Sequence, residues 1–576
     1  MKGMLKQTGN ELIKIWRQLG YRIVLFVIAG LMLAAPFMTF FFEKITNSNF
    51  DGAVSDDYGD DIWNAFSNIQ NSYRYTFFEE NKLPEWKQKL YGNELVNYGM
   101  RAKGLEFILN GKFRKSDVIA YFDLGAEDIC EWGEDESPDE HRYDDEWIAA
   151  HYSEAKAKES YDAALIALKD FSNKIIAITE KEAMKEYLDA AEVTLANAEN
   201  SLNAVKSAYE AEKTEAYKTA LDYSQKLYDL QLMITEGWRF AYENNRAPLG
   251  WEYTLLSSVM PAAMQKLLSS MPVSKTDYEQ DPLYMEIFNT PIPYETYVRN
   301  AEKKVAYYEE AINVYYTAIL KNAPLSEVES VSTKGGIRNT LMSFINLMSI
   351  FMVVLVAGII SSEFSSGSVR LLLIRPRSRT QIISAKLLAS FIVYAASVIV
   401  MTVLLSAEHL MLFGIGDFFT GDVVSLFGAT FVIPGFLMLL GKIFVASLPV
   451  LLYMSVATVM AVLTRKNAVS IIMSLIAYIS AATIKGVVFV VVGLLPNIAG
   501  WLVYTPLAYT DLPGTVSGAV TIASSFGQFD LGLIIGGVDL VAMGANLGLG
   551  IFYYIVGIVL FTFLTLLVFK KKQIKN

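Results

Sequence analysis

Long apolar runs separated by short polar segments dominate both ends of the chain. Each of six runs is long enough, at about 1.5 Å per residue, to cross a hydrocarbon layer of about 30 Å as a helix. The runs occupy residues 21–42, 337–361, 387–413, 437–463, 467–495 and 550–569. The pattern therefore predicts a mainly all-α protein with a polytopic domain of six transmembrane helices.

The basic residues give these spans a direction. Lys and Arg occur before the first run, in residues 362–386, at Arg465 and Lys466, and at the C-terminus, whereas residues 414–436 and 496–548 have none. Basic loops stay in the cytoplasm, so we expect both termini inside and residues 43–335 outside. Residues 1–20 are predicted to form an amphipathic helix on inner-leaflet lipid. Residues 496–548, rich in Gly and moderately apolar, are predicted as an extracellular re-entrant segment.

Residues 43–335 show helical periodicity of another kind. Apolar residues in steps of three and four indicate coiled-coil seams from Ala157 to Ile178 and from Val298 to Ile319. Between them, a seven-residue repeat from Leu188 to Leu230 contains a stutter, which predicts one long, unevenly supercoiled helix. We expect an extracellular helical domain with a coiled-coil stalk at about 153–236 and 293–321.

Charge separates the two parts further. Residues 43–333 hold 52 of the 60 acidic residues but only 29 of the 49 basic ones, so the pI near 5.1 describes the water-facing part. This balance argues against a nucleic-acid partner. Cys130 is the single cysteine, which excludes an internal disulfide.

A dense acidic run, residues 128–146, allows two interpretations. Clustered carboxylates suit Ca²⁺, but the Asp-x-Asp-x-Asp-Gly spacing of a calcium loop is absent, which favours a solvated acidic loop. His141 and His151 are too few for a metal site without carboxylates, and we predict none.

The segment between the second and third runs carries the most specific pattern in the chain. Ser362-Glu363, Gly367-Ser368, Leu371-Leu372, the run from Arg375 to Arg379 and Ala385-Lys386-Leu387 follow one another there. This order resembles the signature of ABC-2 type transporter permeases, and the six spans and the amphipathic N-terminal helix are similar to that family's layout. The resemblance covers residues 1–45 and 335–576 but not the large insertion between them.

The resemblance implies the membrane subunit of a bacterial ABC exporter, located in the cytoplasmic membrane as a homodimer or paired permease. ATP and Mg²⁺ would bind separate cytosolic ATPase subunits, not this chain, and the chain would be no enzyme. Consistently, Gly111-Lys112 lacks the remainder of a phosphate loop. Coupling to the ATPase is expected at Glu363, Gly367, Arg370, Leu372, Arg375, Pro376, Arg379 and Lys386. Alternatively, these arginines only anchor the spans at phospholipid headgroups.

Polar residues inside the spans are candidates for a substrate pathway. They recur in steps of three and four in the second span, as Ser343, Asn346 and Ser349, and in the fifth, as Ser470, Ser474, Tyr478 and Lys485. In related exporters these two spans line the path, although small polar residues equally suit close helix packing. An outer ion pair of Glu408 with Lys442 or Lys485 is also predicted, because an unpaired charge in a span is costly. His409 is expected to be an interfacial side chain.

Two functions fit these features. The first is an exporter that moves an amphipathic, peptide or lipid-like substrate outward. The alternative is a non-transporting membrane scaffold, receptor or secretion accessory protein whose extracellular stalk binds a partner.

Overall fold

The computed structural model describes residues 2–48, 62–132, 139–280, 293–325, 333–365, 379–414, 419–426, 429–494, 504–506 and 547–571. This part of the chain is mostly helical, as predicted. Its helices are α1 (Lys2–Arg17), α2 (Leu19–Ser48), α3 (Ile62–Asn71), α4 (Phe77–Glu80), α5 (Glu85–Asn110), α6 (Lys115–Phe122), α7 (Asp145–His151), α8 (Glu154–Ala177), α9 (Glu180–Ala211), α10 (Glu215–Glu243), α11 (Trp251–Thr254), α12 (Met260–Ser269), α13 (Lys275–Gln280), α14 (Tyr294–Leu320), α15 (Thr333–Ser365), α16 (Arg379–Phe413), α17 (Gly435–Thr464), α18 (Asn467–Leu494) and α19 (Leu547–Lys571).

The chain forms two compact units. One consists of Phe42–Tyr187 with Asn245–Gly250, and the other contains Met1–Phe41, Leu188–Asn244 and Trp251–Asn576. Residues 43–335, predicted as one extracellular domain, are thus divided between the two units, and their side of the membrane stays a prediction.

The smaller unit is built around α5, which packs against α3, α6 and α8. Its core contains Leu105, Ile119 and Phe122. Buried side chains occur around the whole circumference of α5, as expected of a central helix. Gly99 is needed there, because a Cβ atom at this position would lie 2.1 Å from the Tyr73 ring.

In the larger unit, α10, α12 and α14 pack together, and α14 also contacts a two-stranded hairpin. The hairpin pairs β1 (Gly421–Leu426) with β2 (Ala429–Pro434) in antiparallel register. The sequence analysis treated this region only as an outside loop. Its β-branched and aromatic residues, Val423-Val424 and Phe431-Val432-Ile433, favour strands and explain the difference.

The predicted stalk is helical but its long middle helix is interrupted. Seam positions are buried at Ala157, Ala164, Phe171 and Ile175, and again at Ile312, Tyr315 and Ile319. However, α9 ends at Ala211 and α10 begins at Glu215, so the stretch with the stutter forms two helices. Thr214 lies between the two helices and caps the N-terminus of α10, since its hydroxyl accepts a hydrogen bond from the Tyr217 amide.

Among the described residues, five helices are long and apolar enough to cross a membrane. They are Leu19–Met38, Gly335–Ser365, Thr380–Phe413, Gly435–Thr464 and Gly548–Lys570. The fifth predicted span, 467–495, coincides with α18, whose stretch Asn467–Ser480 is a shorter apolar helix. α15 is the most buried of the five, and it packs against α16, α17 and α18. The predicted re-entrant segment lies largely outside the described residues.

Candidate functional site: a charge cluster and two polar faces

Four charged side chains connect the N-terminal helix to both flanks of the segment 362–386. Lys386 Nζ, at the start of α16, lies 2.9 Å from Glu11 Oε2 of α1 and 2.8 Å from Glu363 Oε1 at the end of α15. Lys14 Nζ lies 3.1 Å from Glu11 Oε1 and 3.1 Å from Glu363 Oε1. The two ammonium groups thus bridge the two carboxylates in a closed ring, which we call the four-charge cluster.

The faces of α1 explain how the cluster forms. Gln7, Glu11 and Ile15 follow one another in steps of four and are buried, and α1 packs against α16. Leu5 and Trp16 lie on another face and are exposed. The basic amphipathic helix was predicted, but its polar face, rather than its apolar face, is the one that packs against the rest of the protein.

The cluster combines burial with neutral total charge. Lys386 is 2% exposed and Glu11 is 3% exposed at the side chain, whereas Lys14 is 53% exposed. Burial raises the pKa of Glu11, but Lys386 and Lys14 lower it more, so the pKa lies below its usual range. Burial lowers the pKa of Lys14, but Glu363 and Glu11 raise it above its usual range. Glu11 and Lys14 are therefore held in their charged forms at neutral pH.

The structure places two of the predicted coupling residues in this cluster. Glu363 and Lys386 contact α1 rather than facing outward. Gly367, Arg370, Leu372, Arg375 and Pro376 lie outside the described residues, and Arg379 begins α16 with its side chain outside them. The partner-facing part of the segment stays a prediction.

The two predicted pathway stripes meet where α15 packs against α18. Tyr478 forms a side-chain hydrogen bond with Ser349, and Ser470 and Ser474 are buried. One helical turn from Ser470, toward the cytoplasmic segment, the Ser361 hydroxyl donates to Asn467 Oδ1 at 2.9 Å. These four members of the predicted stripes therefore participate in helix packing, and Lys485 has its side chain outside the described part.

The remaining stripe residues lie on the open face of α15. Between residues 335 and 361, the exposed side chains are Asn339, Ser343, Asn346 and Ile350. The three polar ones follow one another in steps of four and three, so they form a single line along the helix. The side chains of α15 between residues 335 and 361 are thus mostly buried, and three of the four exposed ones are polar. We call Asn339, Ser343 and Asn346 the polar line of α15.

At the other end of α15, Arg338 and Asp422 form a buried pair that the sequence analysis missed. Arg338 Nη1 donates to Asp422 Oδ1 at 3.0 Å, Nη2 also donates to Oδ2, and both side chains are 4% exposed. Nη2 reaches the Gly435 carbonyl as well. The pair fastens the β1–β2 hairpin to α15. A lone Arg at the edge of an apolar run was the available signal, because such a charge requires a partner.

The predicted ion pair of Glu408 is not seen among the described side chains. Glu408 is 8% exposed, and neither of its carboxylate oxygens accepts a hydrogen bond from a described side chain, Lys442 included. The other predicted partner, Lys485, has no described side chain. His409, predicted to be interfacial, is 2% exposed.

In the described part of the acidic run, two carboxylates pair with arginines. Asp128 pairs with Arg101 at 2.5 Å and Asp145 pairs with Arg114. His141 and His151 stack on Trp147, with ring centroids 5.0 and 4.3 Å apart. Across the described ranges, no three His, Cys, Asp or Glu side chains group as a metal site would require. Residues 133–138 lie outside those ranges.

The fold and the contacts define a mainly helical protein, whose described part contains five apolar helices long enough to span a membrane. A family model described as "Protein of unknown function (DUF2705)" matches residues 311–575, from α14 to the C-terminal end of the chain. No curated protein and no solved structure matches the chain.

Proposed function

We propose that this chain is the membrane subunit of an ATP-driven exporter in a bacterial cytoplasmic membrane. In this proposal the chain has six spans, pairs with a second membrane subunit, and binds separate cytosolic ATPase subunits through residues 362–386. It moves an amphipathic, peptide or lipid-like substrate outward.

The four-charge cluster is the observation that carries the proposal. A segment that receives force from a partner must be connected firmly to the spans that it moves. Lys386 and Glu363 stand at the two ends of this segment and bond to each other and to α1. Buried charged hydrogen bonds are directional and costly to break, so the three elements would move together.

The polar line of α15 supports the pairing. Asn339, Ser343 and Asn346 are exposed in the single chain. Polar groups gain nothing from contact with lipid chains, whereas a second copy or an aqueous path can accept their hydrogen bonds. We therefore assign the line to the surface between the two membrane subunits.

Co-purification with the ATPase tests the docking. Arg375→Glu with Arg379→Glu should abolish retention of the ATPase and substrate-stimulated ATP hydrolysis, because two attractive contacts become repulsive. The control is Lys6→Glu with Lys466→Glu, which reverses two exposed charges outside the segment. Equal losses in both variants would show that only the overall basic charge matters, as expected of headgroup anchoring. Retention in both would refute the proposal.

Cysteine cross-linking tests the pairing. Asn339→Cys, Ser343→Cys and Asn346→Cys, each in a Cys130→Ala background, should cross-link two copies or react with a water-soluble maleimide. Val403→Cys is the control, since Val403 is 62% exposed on a different apolar helix. If the three positions react no more than Val403→Cys, the polar line faces lipid and the assignment fails.

A further inference from the structure

Glu408 of α16 is a buried carboxyl group without a partner among the described residues. Its side chain is 8% exposed, yet both oxygens are covered and neither accepts a hydrogen bond. Buried polar atoms almost always have a partner, and a buried ionised carboxylate has a particularly strong requirement for one.

The position of Glu408 on the helix places the carboxyl inside the protein. Tyr394, Val398, Met401 and Leu405 precede it in steps of four and three, and all four belong to the core shared with α15. Glu408 follows Leu405 by three residues, so it continues the same buried stripe. The carboxyl therefore points into the packed interior rather than toward lipid.

The charged side chains that the structure describes on the neighbouring elements are engaged elsewhere, and the side chain of Lys334 on α15 lies outside the described part. On α16 itself, His409 Nδ1 donates to the Leu405 carbonyl at 2.9 Å, and its ring lies against Gly336. On α15, Arg338 is bonded to Asp422 and to the Gly435 carbonyl. α1 and α19 also pack against α16. The charges of α19 are at its C-terminal end, and Glu11 and Lys14 of α1 belong to the four-charge cluster near the start of α16.

Asp422 provides the internal comparison. It is a second buried carboxylate in the same unit, and it has the guanidinium of Arg338 in a two-bond contact. Such a contact compensates for the loss of hydration of the ionised form. Among the described side chains Glu408 has no equivalent, and the alternative for a buried carboxylate is to bind a proton and become neutral.

We propose that Glu408 is a proton-binding site, in which the side chain is held as a neutral carboxylic acid at neutral pH. The ligand is the proton itself, exchanged when the end of α16 near His409 opens to water. This assignment does not depend on the exporter proposal, because it rests only on the burial and the contacts of one side chain.

Infrared spectroscopy of the full-length protein in lipid at pH 7 tests the assignment. Glu408→Gln should remove part of the carbonyl band of protonated carboxyl groups and leave the fold unchanged, because a neutral amide replaces a neutral acid of similar shape. Asp422→Asn is the matched control, and it should leave this band intact because both Asp422 oxygens accept hydrogen bonds from the Arg338 guanidinium.

Dicyclohexylcarbodiimide gives a second readout on the unaltered protein. This apolar reagent adds to a protonated carboxyl: the acid proton moves to a carbodiimide nitrogen, the carboxyl oxygen bonds to the central carbon, and nothing leaves. Mass spectrometry should locate one added reagent at Glu408 and none at Asp422. If the band is unchanged in Glu408→Gln and the unaltered protein is not labelled at Glu408, the carboxyl is ionised and the proposal is overturned.

Discussion

Lys386→Met is the sharpest test of the four-charge cluster. Lys386 Nζ lies 2.9 Å from a Glu11 oxygen and 2.8 Å from a Glu363 oxygen, and its side chain is 2% exposed. Methionine preserves most of the volume but leaves two carboxylates with only the ammonium of Lys14. The total charge of the cluster then changes from zero to minus one in a buried place.

The expected cost follows from the geometry. At an effective dielectric constant of about 20, each of the two attractions is about 6 kcal/mol before desolvation is subtracted. Breaking a buried pair by removing one partner costs about 3–5 kcal/mol. We expect about 3 kcal/mol, the lower end, because Lys14 stays 3.1 Å from both carboxylates.

Hydrogen exchange of α1 amides measures this cost where it occurs. A loss of about 3 kcal/mol in the opening free energy accelerates exchange by about 100-fold. Lys466→Met, which removes an exposed ammonium, should change stability by no more than about 0.5 kcal/mol.

A double mutant separates charge balance from lost packing. Glu11→Gln with Lys386→Met leaves Lys14 and Glu363 as a neutral pair, so the combined cost should fall about 2 kcal/mol short of the sum of the single costs. Additive costs, or α1 exchange within threefold of the unaltered protein in Lys386→Met, would refute the reasoning.

Three further predictions concern other described contacts. Asp422→Asn should destabilise the larger unit by about 3–5 kcal/mol in thermal unfolding, because Arg338 is left buried and unbalanced; a loss below 1 kcal/mol would contradict this. Burial and the Glu236 hydrogen bond raise the pKa of Tyr316 to about 12. The unfolded phenol ionises near pH 10, so the free energy of unfolding should fall as pH rises from about 10 to about 12, and Tyr316→Phe should remove that part of the dependence. Lys87 Nζ donates to the carbonyls of Ile175 and Ile176 at 2.8 and 2.9 Å. Lys87→Met should therefore cost about 1–3 kcal/mol in denaturant unfolding, whereas the same change at exposed Lys89 should cost almost nothing.

The apolar helices were predictable because their signal is local. A run of about twenty apolar residues is rare in water-soluble proteins, and its length is fixed by the hydrocarbon thickness. The break at Thr214 was not foreseen, because the seven-residue repeat continues through it and one capping hydroxyl decides the interruption.

The candidate sites were less predictable because they depend on distant contacts. Glu363 and Lys386 were selected for a partner, yet they bond to each other and to Lys14 and Glu11 of α1. Glu11 is the single acidic residue among the first 42, and this isolation was the signal that it required a buried cation. The pairing itself could not be inferred, since periodicity determines which face a residue occupies but not which helix covers that face.

The same contact has a consequence for the synthesis of the chain. Glu11 and Lys386 are 375 residues apart, and at about 5–20 residues per second the ribosome needs about 20–75 s to add the residues between them. During that interval α1 has left the ribosome with its polar face uncovered. The first helix can therefore dock only late in biogenesis, after the start of α16 has been synthesised and has folded next to it.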